Sequence, residues 1–167
     1  MECELRRILR QSSRALTDDL AARLKSRSTS RYREMDPHVL SVRCRLLAEA
    51  LVRSTHEGSE QLGEFVASIA GGRLAEGFEL EDLQAALRIL EVRAWLIVAS
   101  ESTPDSLRAN LTALNTTIAY ARDELARVSR AQAFAASSHV QPPRLELEEL
   151  FRGTESAPVS AGRGADQ

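Results

Sequence analysis

The stretch SLRANLTALNTTIAYARDELARV, residues 106–128, decides the fold. Its apolar residues Leu107, Leu111, Leu114, Ile118, Ala121, Leu125 and Val128 alternate steps of four and three, a seven-residue repeat held over three heptads. With 3.6 residues to a turn, such steps place every one of these side chains on a single helical face. Thr103-Pro104 supplies a cap and a proline at the first helical position, where the missing N–H breaks no bond. Helical composition continues to about Ala136. At 1.5 Å per residue, a helix of that length spans about 50 Å, more than the width of a small domain. Part of it is expected to bend, or to project and find a partner.

The apolar stripe has two readings. It is the core-facing side of a helix in a bundle, where packing of three-residue ridges into four-residue grooves gives the same spacing. Alternatively, Leu107, Leu111, Leu114, Ile118, Leu125 and Val128 form the seam of a parallel dimer. The flanking residues Arg108, Asn110, Asn115, Thr117, Arg122 and Glu124 make no clear set of complementary charge pairs, which counts against the seam. The length of the helix counts for it. A mixed arrangement satisfies both, with core at Leu107–Ile118 and interface beyond.

Upstream, the pattern stays helical. Leu5, Ile8, Leu9, Leu16, Leu20 and Leu24 recur at helical steps, in one kinked helix or in two with a fresh start at Thr17-Asp18-Asp19. Residues 26–35 have no periodicity and read as a loop. Asp36-Pro37 opens a helix to about Ser54, with Leu40, Cys44, Leu47 and Leu51 inward and Ser41, Arg45, Glu49 and Arg53 outward. The next helix, about Glu60 to Glu76, contains Gly71-Gly72. Interior glycines cost roughly 1 kcal/mol each against alanine, so the pair is expected where another backbone passes close or the helix bends. Gly77 fits the left-handed position after the helix end, with Phe78 folding back on the last turn. A further helix runs from about Glu79 to Ser100. Its second half, Ala94-Trp95-Leu96-Ile97-Val98-Ala99, is apolar all round and is expected to be the most buried segment.

The expected fold is therefore all-α: a bundle of about five helices with a long C-terminal helix, in one domain over residues 1–136. Aromatic residues make up only 4% of the 167, which argues against a β-sandwich. Residues 137–167 read as a largely disordered tail, with an acidic apolar stretch at Leu145–Phe151 that suits a short docking helix.

The chemistry-bearing residues are sparse. The formal charge of -2 gives no sign of a protein whose main task is to coat nucleic acid or acidic lipid, although residues 1–35 are net basic. In that region Tyr32 interleaves Arg23, Lys25, Arg27, Arg31 and Arg33, the mixture single-strand binders use, but one aromatic is too little to carry that function. Cys3 and Cys44 have no metal-ligand spacing and are expected as reduced thiols of a cytoplasmic protein. The N-terminus lacks a signal-peptide core, and no apolar run reaches 18 residues. His38, His56 and His139 pair with no ligand at metal spacing, and adjacent acids such as Glu81/Asp82 and Asp123/Glu124 splay apart on a helix. No phosphate-binding, dinucleotide, nucleophile-elbow or zinc-protease motif occurs. The expectation is a protein without catalytic residues, metal or cofactor.

The stretch FVASIAGGRLAEGFELEDLQAAL, residues 65–87, resembles the R-x-x-x-G-[F/Y] signature, followed by a helix of spaced leucines, of RsbR-type N-terminal sensor domains. The resemblance covers roughly residues 15–135. It implies a haem-free, globin-like helical module of bacterial stress signalling whose long last helix dimerises and passes a signal onward. Two departures are visible. Glu79 stands where the family often has serine, and a tail stands where most members carry a second domain, so the signal is expected to pass to a separate protein partner. A ligand or partner acting near Gly71, Gly72, Arg73 and Trp95 would then bias a two-state shift of the last helix. The other expectation is an adaptor that docks through the basic loop or the tail.

Overall fold

Asp36 accepts hydrogen bonds from the backbone N–H groups of His38 (2.9 Å) and Val39 (3.1 Å), and Pro37 begins the helix that follows. This is a local signal acting within one turn of chain in the structure, a computed structural model that describes residues 3–27 and 30–139. Six α-helices and one 3-10 turn occur among these residues, with no strand. They are α1 (Glu4–Gln11), α2 (Ser13–Lys25), the turn Arg31–Arg33, α3 (Pro37–Glu57), α4 (Glu60–Ala75), α5 (Leu80–Glu101) and α6 (Pro104–His139). The protein is all-α, a helical bundle with a long C-terminal helix.

The break in the first helical segment lies at Ser12, and Thr17 is inside α2. The Thr17 hydroxyl donates to the Ser13 carbonyl at 2.8 Å, a bond to its own helix that removes it from capping. The turn from α4 to α5 follows its sequence signals. Gly77 adopts φ +87°, its N–H donates to the Leu74 carbonyl, and the Phe78 N–H donates to the Arg73 carbonyl. These two bonds satisfy carbonyls that the helix end leaves open. Phe78 is buried against Tyr32, with ring centroids 4.9 Å apart.

Long-range contacts fix the direction of each rod. Cys3 and Glu4, at the start of α1, lie beside Thr55 of α3, Thr103 just before α6 and Asn110 of α6. At the opposite end, Lys25 reaches the Met35 carbonyl, and Arg31 and Arg43 reach Glu76. With α1 and α2 taken as one rod, rods consecutive in the sequence therefore alternate in direction, and α4 and α6 run parallel. The α4–α6 contact is close at Gly63: a Cβ there would stand 2.3 Å from the Tyr120 ring. Further along, the Gln132 amide donates to the Gly71 carbonyl at 3.2 Å.

The core collects Leu9, Leu20, Leu51, Leu62, Leu90 and Leu114 together with Ile118 and Leu125, all essentially without exposure. Leu40, Cys44, Leu47 and Leu51 of α3 face inward, and Arg45, Glu49 and Arg53 are exposed. The chain divides into two compact units, Met1–Ala133 and Phe134–Gln167. Of the second, the described part is helix over residues 134–139. The docking stretch Leu145–Phe151 and the rest of the expected tail from residue 140 lie outside the described residues.

Candidate functional site

The apolar stripe of α6 is occupied within a single chain. Leu114, Ile118, Ala121 and Leu125 are buried, and Leu107, Leu111 and Val128 are half-buried, the last two packed against the same core. A dimer seam through Leu114, Ile118 and Leu125 would have to draw these side chains out of that core. Packing inside the bundle, the first of the two readings, therefore accounts for these residues, and Leu125 shows that it extends past Ile118.

The four residues expected at one pocket are not gathered in one. Gly71 meets the Gln132 side chain, and no heavy atom lies within 4 Å of a Cβ placed at Gly72. The close approach expected at Gly71-Gly72 occurs instead at Gly63. Arg73 lines a cavity of about 80 Å3 with Tyr32, Arg43, Cys44, Phe65 and Ile69, among others, and Trp95 is not on it. Burial raises the Cys44 thiol to about 12, so it behaves there as a small apolar group.

Trp95 instead lies on the outward side of α5. Trp95 is 41% exposed, Leu96 48% and Val92 50%, whereas Leu90, Ala94 and Val98 are buried. The expectation that residues 94–99 are the most buried segment thus holds for one side of the helix only. Steps of three and four residues bring Val92, Trp95, Leu96 and Ala99 onto one strip. The helix is anchored on either side of this strip by ion pairs of Arg93 with Asp19 and of Glu91 with Arg122.

Two polar clusters join remote parts of the chain. The first surrounds Glu4, whose carboxylate accepts from the Thr103 N–H at 3.2 Å and from the Asn110 amide at 3.2 Å. Asn110 is buried and also bonds Ser102 and Ser106. Hydrogen bonding from Ser106 and then from Thr103 holds the Glu4 carboxyl below its ordinary value. The second cluster lies around Glu76, just after α4. One carboxylate oxygen, Oε2, accepts from Arg43 Nη2 at 3.1 Å and from Arg73 Nη1 at 3.2 Å. The Glu76 backbone carbonyl accepts from Arg31 Nη2 at 2.9 Å. Three arginines from the 3-10 turn, α3 and α4 thus converge on one residue, a grouping that sequence spacing does not reveal.

Tyr32, the aromatic residue of the basic stretch, is not open to stacking. Tyr32 is buried between Phe78 and the core, and burial pushes its hydroxyl well above the ordinary tyrosine range. Arg31 is engaged with Glu76 and Glu34. His38 and His56 are exposed on α3, and among the described residues no group of three or more His, Cys, Asp or Glu is placed to hold a metal. No described helix is long and apolar enough to cross a membrane. Of the acidic pairs, Glu81 is exposed and Asp82 is buried, where it accepts from the Glu79 N–H at 3.3 Å in a capping arrangement. Glu79 begins α5 in this way at the position where the resemblance leads one to expect serine. No protein-family model, no curated protein and no solved structure matches the chain.

Proposed function

We propose that this chain is a non-catalytic regulatory module that pairs with a second copy of itself through the outward strip of α5 and hands its signal to a separate protein. The exposed strip Val92, Trp95, Leu96 carries this reading. A helix segment that is apolar all round requires cover all round, and the described residues of one chain cover only the inward half of this one. Tryptophan beside aliphatic side chains is the composition of an interface centre. A two-fold contact sets the same strip against itself, and the strip bears no charge, so like charges are not forced together. The resemblance of residues 65–87 to RsbR-type sensor domains supports a haem-free, cytoplasmic role in bacterial signalling. It also supports pairing as the means, with the contact on α5 in place of the last helix.

Light scattering on the full chain tests the proposal. Wild type is expected to run as a dimer, and Trp95→Glu with Leu96→Glu as a folded monomer with an unchanged helical circular dichroism spectrum. A wild type that stays monomeric at concentrations of about 100 μM, or a variant that stays dimeric, overturns it.

A further inference from the structure

We infer that Arg43 and Arg73, with Arg31 at the rim, form a binding site for a free tetrahedral dianion of the phosphate class, and that Glu76 occupies this site as an internal stand-in. The inference is independent of the pairing proposed above, because it rests on α3, α4 and the turn before α3.

The geometry gives four reasons. First, Arg43 Nη2 and Arg73 Nη1 aim at one oxygen, as guanidinium groups do around an oxyanion. Second, Arg43 Nη1 is buried and has no hydrogen-bond partner among the described residues. A carboxylate that spends one oxygen on both arginines leaves this donor unmet, whereas a tetrahedral anion brings further oxygens to it. An unmet buried donor is costly and rare in proteins. Third, the Arg43 guanidinium is supported by the Phe78 ring, 5.8 Å from its carbon, and the Arg73 side chain is only 17% exposed, so both are held before any ligand arrives. Fourth, Glu76 is half-exposed and its carboxylate can swing to water at little cost. A groove of about 360 Å3 already lies beside Glu76, lined by Arg31, Arg43, Glu34, Asp36, Met35 and Phe78.

The surrounding charges favour a dianion over a carboxylate. Glu34 lies 3.7 Å from Arg31 and stays with it, and Asp36 is engaged with the first N–H groups of α3. With Glu76 swung out, Arg31 and Arg43 face the groove, and Arg73 points to the oxygen position the carboxylate leaves, against Glu34 and the already engaged Asp36. A free monocarboxylate must compete with Glu76, which is tethered at an effective concentration in the millimolar range. A dianion gains from a second charge and from the donor that Glu76 does not satisfy.

Isothermal titration of the full-length protein with inorganic phosphate, at ionic strength held constant with chloride, tests this. Glu76→Gln removes the competitor and is expected to tighten phosphate binding at least tenfold over wild type, while acetate gives no heat with wild type and binds Glu76→Gln at least tenfold more weakly than phosphate does. Sulfate is expected to compete with phosphate. Arg43→Lys in the Glu76→Gln background keeps the charge but loses the fork, and is expected to weaken binding at least tenfold. Should that double variant fail to fold, Arg73→Lys in the same background serves as the second test. Phosphate binding that Glu76→Gln leaves unchanged, or that acetate reproduces, overturns the inference.

Discussion

A single hydrogen atom at Gly63 allows α4 and α6 to lie as close as they do. A Cβ there would stand 2.3 Å from Tyr120 Cδ1 and 3.1 Å from Glu124 Cγ, so both side chains would have to give way. Gly72, also inside α4, faces open space. Replacing it with alanine brings only the propensity gain of up to about 1 kcal/mol. Gly63→Ala sets the same gain against overpacking of about 1–3 kcal/mol. In urea denaturation Gly72→Ala is expected to be the more stable variant and Gly63→Ala the less stable. Tyr120→Ala should remove most of the Gly63→Ala deficit, because it deletes the atoms in conflict. Glycine content along α4 is plain in the sequence, but which glycine meets a neighbour depends on α6, some 57 residues further on.

Among the elements, α1 is the shortest α-helix, with eight residues, too few to persist alone in water. It is held by Leu5, Ile8 and Leu9 in the core and by Glu4, which fastens its first turn to the start of α6. The Glu4 carboxyl titrates below its ordinary value of 4.5 in the folded chain, through the bonds from Ser106 and Thr103. A group whose pKa is lowered by folding adds stability that is fully present above its unfolded value and is lost as pH falls through the folded one. Glu4→Gln is therefore expected to flatten the dependence of stability on pH below about 4.5, with little change in its slope near neutrality, as read by denaturation midpoints across pH. The helix starts at Asp36-Pro37 and Thr103-Pro104 and the glycine stop at Gly77 were legible because each acts within one turn of chain. The tie from Glu4 to Asn110 was not, since a capping glutamate and a helical asparagine 106 residues apart give no local sign of each other.

For the whole molecule, the central question is which apolar surfaces one chain uses up. Ile118 is fully buried in the bundle, and truncating it to alanine is expected to cost about 2–5 kcal/mol while leaving the native oligomeric state as it is. Trp95→Glu with Leu96→Glu should do the reverse, altering the oligomeric state with little loss of monomer stability. Denaturation and light scattering on the two variants read these outcomes separately. A seam along the α6 stripe predicts that Ile118→Ala changes the oligomeric state too, which the burial of Leu114, Ile118 and Leu125 in one chain opposes.

The sequence by itself determined the all-α class, most of the helix ends and the inward faces of α3 and α6, since these follow from periodicity and from caps that act over a few residues. It did not determine which side of the uniformly apolar half of α5 is covered. Nor did it bring Arg31, Arg43 and Arg73 together at Glu76, or choose Gly63 over Gly71-Gly72 as the close approach. Tertiary structure alone decided these. Each depends on which remote helix lies alongside, and an all-round apolar helix, a scattered set of arginines or a run of small residues looks the same along the chain whatever its neighbours are.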